Sequence, residues 1–171
     1  MGYIERVVER EGGFSDVDGD RGGETYRGIT YDTYVAWCDT QAFDPTKEHH
    51  RSLSTFEVLE VYRVMFVNRY RIEEFTSELV REVMFSALVL HGPYNMAKIA
   101  QETAGNLKVD GVAGSKTIRR INFLPAVAFV NDFSANRIVF VIRIVENDIS
   151  QLQFLEGWVV KRMLRFIRPG L

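Results

Sequence analysis

The stretch from Glu11 to Thr30 constrains this chain more than any other, because it concentrates turn-forming and charged residues between two helix-like segments. It contains six glycines, five carboxylates and two threonines. Glycine reaches the left-handed backbone conformation at little cost, so the chain can turn sharply here and return on itself. The stretch therefore predicts a small hairpin near the N-terminus of an otherwise helical chain.

A short amphipathic helix is predicted before this stretch, over residues 2–11. Ile4, Val7 and Val8 share one face, and the pair Gly12-Gly13 ends the pattern. Glu11 would then lie in the last turn, where unpaired carbonyls and the negative end of the helix dipole disfavour a carboxylate charge. We expect a raised pKa for Glu11, which suits a general acid that protonates a glycosidic oxygen.

The returning chain supplies possible partners for this acid. Its glycines allow Asp20 and Thr25 to come back beside Glu11, so that the acid faces a second carboxylate and a hydroxyl. Asp18 is the alternative to Asp20 if the loop bends differently.

Three motifs occur here in a fixed order: Glu11-Gly12-Gly13-Phe14, Asp20-Arg21-Gly22-Gly23 and Thr25-x-x-Gly28-Ile29-Thr30. Together they resemble the N-terminal signature of glycoside hydrolase family 108, whose members are phage-type endolysins and secretion-linked muramidases that cleave peptidoglycan. The order of glutamate, aspartate and threonine is also similar to the catalytic hairpin of T-even phage lysozymes.

This resemblance implies a mainly α-helical, lysozyme-like fold with a small hairpin near the N-terminus. It implies hydrolysis of the β-1,4 bond between N-acetylmuramic acid and N-acetylglucosamine, with no cofactor and no metal. Glu11 would be the general acid, Asp20 would stabilise the oxocarbenium-like transition state or orient water, and Thr25 would help to position that water. The candidate substrate-binding residues are Asp18, Tyr26, His91 and Tyr94.

The resemblance continues in the second half of the chain. The segment Asp110-Gly111-x-x-Gly114-x-x-Thr117 resembles the turn and helix of peptidoglycan-binding modules, with Ser115 as the expected helix cap. A structural turn and direct glycan contact are both open interpretations of it. We expect a single domain over 1–171, with a catalytic part over 1–105 and a helical part over 106–171 packed on it.

Helices are also predicted between and after these motifs. Thr30 is expected to cap a helix over residues 31–38, and Ser54-x-x-Glu57 is a capping box that opens a helix to about residue 68. His91-Gly92-Pro93 ends an apolar helix over 77–90, and a long helix is expected over 123–145. His49 and His50 are interpreted as surface residues, because neighbouring histidines point apart and no further metal ligand has suitable spacing.

Bulk properties limit the possible partners. The 171 residues are 46% hydrophobic, and the lone Cys38 excludes an intrachain disulfide. Residues 1–50 carry a formal charge of −6 and residues 115–171 one of +5, which suits an anionic polymer gripped away from the acid. The basic residues are dispersed, so nucleic-acid binding is not expected.

The sequence also bears on where such an enzyme would act. The first residues lack the apolar core of a secretory signal, and residues 126–145 are interrupted by charged and amide side chains, so stable membrane insertion is not expected. We expect a monomer that is made in the cytoplasm and acts in the periplasm or at the cell wall. A holin or a dedicated secretion route would release it.

Two other classes of protein stay open. Asp16-x-Asp18-x-Asp20 begins like a calcium loop, but arginine replaces the glycine and the glutamate that an EF-hand requires. A non-catalytic wall-binding or secretion-accessory protein on the same fold is the second, because Tyr26, Val67 and His91 depart from the family pattern.

Overall fold

The chain is mainly α-helical with one small antiparallel sheet near the N-terminus, as the sequence predicts. A computed structural model describes residues 2–9, 14–15 and 24–167, with the backbone alone for 14–15. Two compact units divide the chain, Met1–Arg71 and Ile72–Leu171.

The first unit combines the sheet with short helices. Its strands follow the order β1-β2-β3, and Thr25 of the central strand lies opposite Ser15 on one side and Thr30 on the other. The described elements are α1 (Tyr3–Val8), β1 (Phe14–Ser15), β2 (Thr25–Tyr26), β3 (Ile29–Thr30), α2 (Tyr31–Gln41), α3 (Lys47–Arg51), α4 (Thr55–Tyr62) and a π-helical turn (Arg63–Asn68).

Side-chain caps begin α2 and α4 where the sequence predicts them. The Thr30 hydroxyl accepts a hydrogen bond from the Thr33 backbone N–H at 3.2 Å. Ser54 and Glu57 form the complete capping box, in which each side chain accepts from the other residue's backbone N–H. Both predictions are confirmed.

The first helix is shorter than the predicted helix over residues 2–11. It ends at Val8, with Glu9 as its C-cap, whereas the predicted helix extends to residue 11. The apolar face, which ends at Val8, therefore marks the end of α1 better than the glycine pair does. Glu11 lies outside the described residues.

Longer helices form the second unit. They are α5 (Glu78–Ala104), α6 (Ser115–Phe123), α7 (Ala126–Asn147) and α8 (Leu152–Arg162), with short 3-10 turns at Ile72–Glu74, Ile149–Gln151 and Leu164–Phe166. The core forms mainly where α5 packs on α7. The ring centroids of Phe129 and Phe133 of α7 lie 5.5 Å apart in a stacked arrangement, and both side chains are buried.

Two prolines set the breaks in these helices. Gly92 has φ 73° and ψ 168° inside α5, directly before Pro93, which confirms the predicted break. The predicted helix over 123–145 begins later, because Leu124 is extended before Pro125 and α7 starts at Ala126.

Buried Gln101 of α5 organises the turn that precedes α6. Its side-chain oxygen accepts from the backbone N–H groups of Asp110 and Gly111, at 3.1 and 3.0 Å. Its amide nitrogen donates to the Asp110 carboxylate at 2.9 Å, which lowers the pKa of that carboxyl group. Ser115 is not the cap: Gly114 holds the cap position and no side chain caps α6. The hydrogen bonds of Asp110 therefore support a structural role for this turn.

No single helix in the described part of the chain is long and apolar enough to cross a membrane. α6 and α7 reach that length and apolar composition only when they are taken together, and the chain bends by 118° at the break between them.

Gly111→Ala is expected to destabilise the protein by about 2 kcal/mol, because φ is +77° there and the new methyl group would collide with the Tyr94 ring. Gly157→Ala is the matched control. Apart from its chain neighbours and the backbone of α8, no atom of the described residues lies within 4 Å of the Cβ position at Gly157, so alanine should stabilise the helix by up to about 1 kcal/mol. Urea unfolding of both variants checks the two opposite signs.

Candidate active site

The hairpin of β2 and β3 carries two of the predicted site residues, Thr25 and Tyr26, and both side chains are half-buried. Its two-residue turn is Arg27-Gly28, with φ values of 49° and 76°. Positive φ at both central residues is the backbone of a type I′ turn, which matches the twist of the flanking strands. The hairpin that the glycine pattern predicts is therefore present at this point.

Two contacts from the α4 region hold this turn. The Arg27 guanidinium donates to the Thr55 hydroxyl at 3.1 Å, and the buried Tyr62 hydroxyl donates to the Arg27 carbonyl at 3.0 Å. A non-glycine residue with positive φ is uncommon, and these contacts help to fix it there.

A cluster of charged residues holds the base of the hairpin. Glu24 directly precedes β2, and its carboxylate accepts two hydrogen bonds from Arg51 at 2.9 and 2.8 Å. Lys47 Nζ lies 3.7 Å from the same carboxylate and His50 Nδ1 lies 3.3 Å from it. We call Glu24, Lys47, His50 and Arg51 the Glu24 cluster. The hydrogen bonds from Arg51 lower the pKa of Glu24 to about 2, although burial opposes this shift.

His50 is fully buried, so its predicted surface location is wrong. Besides facing Glu24, it donates from Nε2 to the Ile29 carbonyl at 2.9 Å. The rings of Tyr31 and Tyr34 lie 5.5 and 5.3 Å from its own ring, between centroids. The pair of histidines lies on the short helix α3, whose rotation places His50 against the hairpin.

His49 joins three helices through a second network. The Tyr34 hydroxyl and His49 Nδ1 are 2.9 Å apart, and His49 Nε2 lies 2.8 Å from the Glu57 carboxylate. The Glu57 carboxylate can only accept, so Nε2 of His49 is the donor in that contact. Burial raises the pKa of Tyr34 to about 12. Because α2, α3 and α4 are tied in this way, the helices that support the hairpin form one framework.

The other predicted residues of the first unit cannot be placed. Glu11, Asp18 and Asp20 lie outside the described residues. The structure therefore describes the strand that carries Thr25 and Tyr26, and the proposed acid and its carboxylate partner stay predictions.

His91, in the second unit, is the last residue before the break in α5. Arg137 Nε donates to His91 Nε2 at 3.2 Å, and the Phe140 ring lies 5.3 Å away. Burial, together with the charges of Arg137 and Arg162, lowers the pKa of His91 to about 2. His91 is thus neutral, and its hydrogen lies on Nδ1.

The partner of His91 is a buried arginine, whereas the sequence predicts only a dispersed set of basic residues that includes it. Arg137 has no exposed surface, and its Nη2 lies 3.4 Å from the Ser86 hydroxyl. Its Nη1 has no hydrogen-bond partner among the described residues. The sequence carries a sign of this burial, because Arg137 lies four residues after Phe133 and four before Val141, on the face that α7 buries.

Tyr94 follows the break in α5 and is 57% exposed. Its ring lies against Gly111, and Lys98 Nζ lies 5.5 Å from the ring centroid. An exposed tyrosine beside a lysine can stack on a sugar while the ammonium contacts an anionic group.

Metal and thiol chemistry find no support in the described ranges, 2–9, 14–15 and 24–167. No group of three or more histidine, cysteine or acidic side chains there could hold a metal ion. Cys38 is buried, and burial raises the pKa of its thiol.

Comparisons with known proteins agree with this architecture. Residues 4–92 match the family described as glycosyl hydrolase 108, and residues 95–163 match the one described as a predicted peptidoglycan domain. The structure is similar to that of SagA from Brucella abortus, with a TM-score of 0.73 and 25% sequence identity. That match covers 98% of this chain and 94% of SagA. No curated protein matches the sequence significantly.

Glu24→Gln is expected to remove an acid-dependent part of the stability. The folded pKa of about 2 lies below the ordinary value of 4.5, so the contribution of Glu24 is complete above about pH 4.5 and is lost as the pH falls towards 2. The difference in Tm between wild type and variant should therefore be largest near neutral pH and should shrink below pH 4. Circular dichroism melts from pH 7 to 2.5 measure it.

Glu48→Gln is the control for this series, because Glu48 is an exposed carboxylate on α3, the helix that carries the partners of Glu24. A Tm difference for Glu24→Gln that stays constant down to pH 2.5 would contradict the assignment of the shift to Glu24.

Proposed function

The chain belongs to the glycosyl hydrolase 108 family, and from this premise we propose that it is an N-acetylmuramidase. It would hydrolyse the β-1,4 bond between N-acetylmuramic acid and N-acetylglucosamine in peptidoglycan. The observation that carries the proposal is the order of the two matched regions. A glycoside hydrolase region over 4–92 is followed by a predicted peptidoglycan domain over 95–163.

We assign the chemistry to three residues within the first region. Glu11 donates a proton to the leaving oxygen, Asp20 stabilises the oxocarbenium-like transition state or orients water, and Thr25 positions that water. Of these three residues, the structure describes Thr25. Its strand belongs to a hairpin that is held by hydrogen bonds to the carbonyls of Arg27 and Ile29, which supports a defined position for the Thr25 hydroxyl.

The substrate contacts are proposed for Asp18, Tyr26, His91 and Tyr94. Neutral His91 offers an N–H donor suited to a sugar oxygen, and exposed Tyr94 offers a ring face. Tyr26 is half-buried on β2, and its ring lies edge-on to that of His50.

A second candidate function is wall binding without catalysis, as in a secretion-accessory protein on the same fold. The predicted peptidoglycan domain favours it, because that domain by itself implies wall contact. Val67, where the sequence departs from the family pattern, is 1% exposed and serves the core instead of an aromatic sugar platform.

The cellular setting belongs to the same proposal. A peptidoglycan hydrolase acts at the cell wall or in the periplasm, and a holin or a dedicated secretion route would bring it there as a monomer. We also propose that residues 1–105 are the catalytic part and residues 106–171 the wall-contacting part.

Glu11→Gln is expected to lower kcat on purified peptidoglycan by about 10²- to 10⁴-fold, because glutamine cannot donate the proton that the leaving oxygen requires. Helix content and Tm should stay close to those of wild type. Asp20→Asn and Thr25→Ala should lose less activity. A Glu11→Gln variant that clears a peptidoglycan suspension at the wild-type rate would refute the assignment.

Mass spectrometry of the digest separates the candidate functions. A muramidase releases muropeptides with new reducing ends at N-acetylmuramic acid, a glucosaminidase leaves them at N-acetylglucosamine, and a transglycosylase leaves anhydro ends. A wall-binding protein cosediments with the polymer and releases nothing.

A further inference from the structure

We propose that two stacked aromatic rings on α8, those of Phe154 and Trp158, bind the glycan strand of peptidoglycan together with Lys161. The ligand class is a polymer of N-acetylated hexoses that carries carboxylates. The inference rests on the proposed function, because it names a second contact with the same substrate. It goes beyond that function by placing the contact on α8, among residues that have no assigned role.

Helix α8 exposes apolar side chains that a helix ordinarily buries. None of its eleven residues is buried, although six of them are apolar. Phe154 is 46% exposed, and Trp158 is half-buried. Aromatic surface in water is unfavourable, so a contiguous exposed apolar surface marks a site of contact with a ligand or partner.

The two rings lie side by side along the helix. Their centroids are 5.8 Å apart and their planes differ by 27°, which is a stacked arrangement. The spacing of four residues places both side chains on one side of α8, one turn apart. We call Phe154 and Trp158 the α8 platform. Because the planes are nearly parallel, the ring faces point in the same direction, and the C–H face of a sugar can pack against such an apolar face.

A basic side chain adjoins the α8 platform. Lys161 is exposed and follows Trp158 by three residues, which places it on the same side of the helix. Peptidoglycan carries carboxylates on its lactyl groups or on its peptide stems, whereas a polymer of N-acetylglucosamine alone has none. The ammonium group can pair with a carboxylate while the rings pack on the sugar. The formal charge of +5 over residues 115–171 favours the same anionic polymer.

The α8 platform leads towards a candidate binding residue of the same unit, His91. Arg162 follows Trp158 by one helical turn, and its charge contributes to the lowered pKa of His91. Electrostatic interactions weaken with distance, so this end of α8 lies near the break in α5. The match to the predicted peptidoglycan domain, over residues 95–163, includes the whole α8 platform and Lys161. A glycan strand at His91 would therefore continue along α8.

The binding test is calorimetric titration of the full-length protein with soluble N-acetylglucosamine–N-acetylmuramic acid oligomers, in the Glu11→Gln background so that the ligand stays intact. We expect Phe154→Ala and Trp158→Ala each to raise Kd about 10-fold, because a well-placed aromatic contact is worth about this factor. Trp158→Phe should restore most of the affinity. Leu152→Ala is the matched control and should keep the wild-type Kd, since Leu152 is 53% exposed but lies on the opposite side of α8.

Oligomers of N-acetylglucosamine alone isolate the contribution of Lys161. They should bind about 3-fold more weakly than the oligomers that carry carboxylates, and Lys161→Gln should remove this difference. Oligomers with and without peptide stems identify the carboxylate. A loss on Lys161→Gln that is confined to stem-bearing oligomers assigns the contact to the stem, and a loss confined to stem-free oligomers assigns it to the lactyl group.

An unchanged Kd in Phe154→Ala and Trp158→Ala proteins that fold normally by circular dichroism would overturn this inference, and so would an equal loss in Leu152→Ala. Release of muropeptides by the wild type would leave the proposed function standing in that case. A wild type that binds the oligomers through α8 but releases no muropeptide would refute the hydrolase and leave this inference standing.

Two further measurements test other partners for the α8 platform. Sedimentation of wild type and Phe154→Ala reports contact between copies of the chain, and flotation with phosphatidylglycerol vesicles reports contact with an anionic membrane. A change in either one, with unchanged affinity for the oligomers, would assign the rings to that partner and overturn the inference.

Discussion

The ionised carboxylate of Glu24 is the contact on which the first unit depends. A nearly buried charge is costly unless it is paired, and here Arg51, Lys47 and His50 all approach it from α3. The helix α3 has five residues and each hairpin strand has two, so neither element is stable in isolation. Their mutual ion pairs and hydrogen bonds supply the stability that length does not, and the strand that bears Thr25 takes its position from them.

In the second unit the corresponding constraint is the break in α5. Gly92 takes a backbone conformation that is cheap for glycine, and Pro93 then starts the chain in a new helical direction. The break leaves His91 at the end of one helical segment, where Arg137 donates to it and where burial, together with the Arg137 charge, lowers its pKa and keeps it neutral. A buried guanidinium is tolerated only with partners, so this contact links the packing of α7 on α5 to the protonation state of a candidate binding residue.

Family membership and geometry support different parts of the functional argument. The match over residues 4–92 places the chain among glycoside hydrolases and includes the predicted acid, Glu11. The geometry shows how the hairpin that carries Thr25 is held, and Gln101 stabilises the turn at Asp110 and Gly111 by hydrogen bonds. That turn therefore has a structural role within the second unit.

The sequence by itself determined the helical class, the hairpin, the side-chain caps at Thr30 and Ser54 and the break at Gly92, because each depends on residues within a few positions of one another. It located α1, α6 and α7 with errors of a few residues at their ends, where local propensities are weakest. Only the tertiary structure decided that His50 is buried and which groups His50 and Arg137 contact, since those partners lie 26 and 46 residues away along the chain. The spacing of Arg137 from Phe133 and Val141 places it on the apolar face of α7, but a helical period does not say which side chains meet that face.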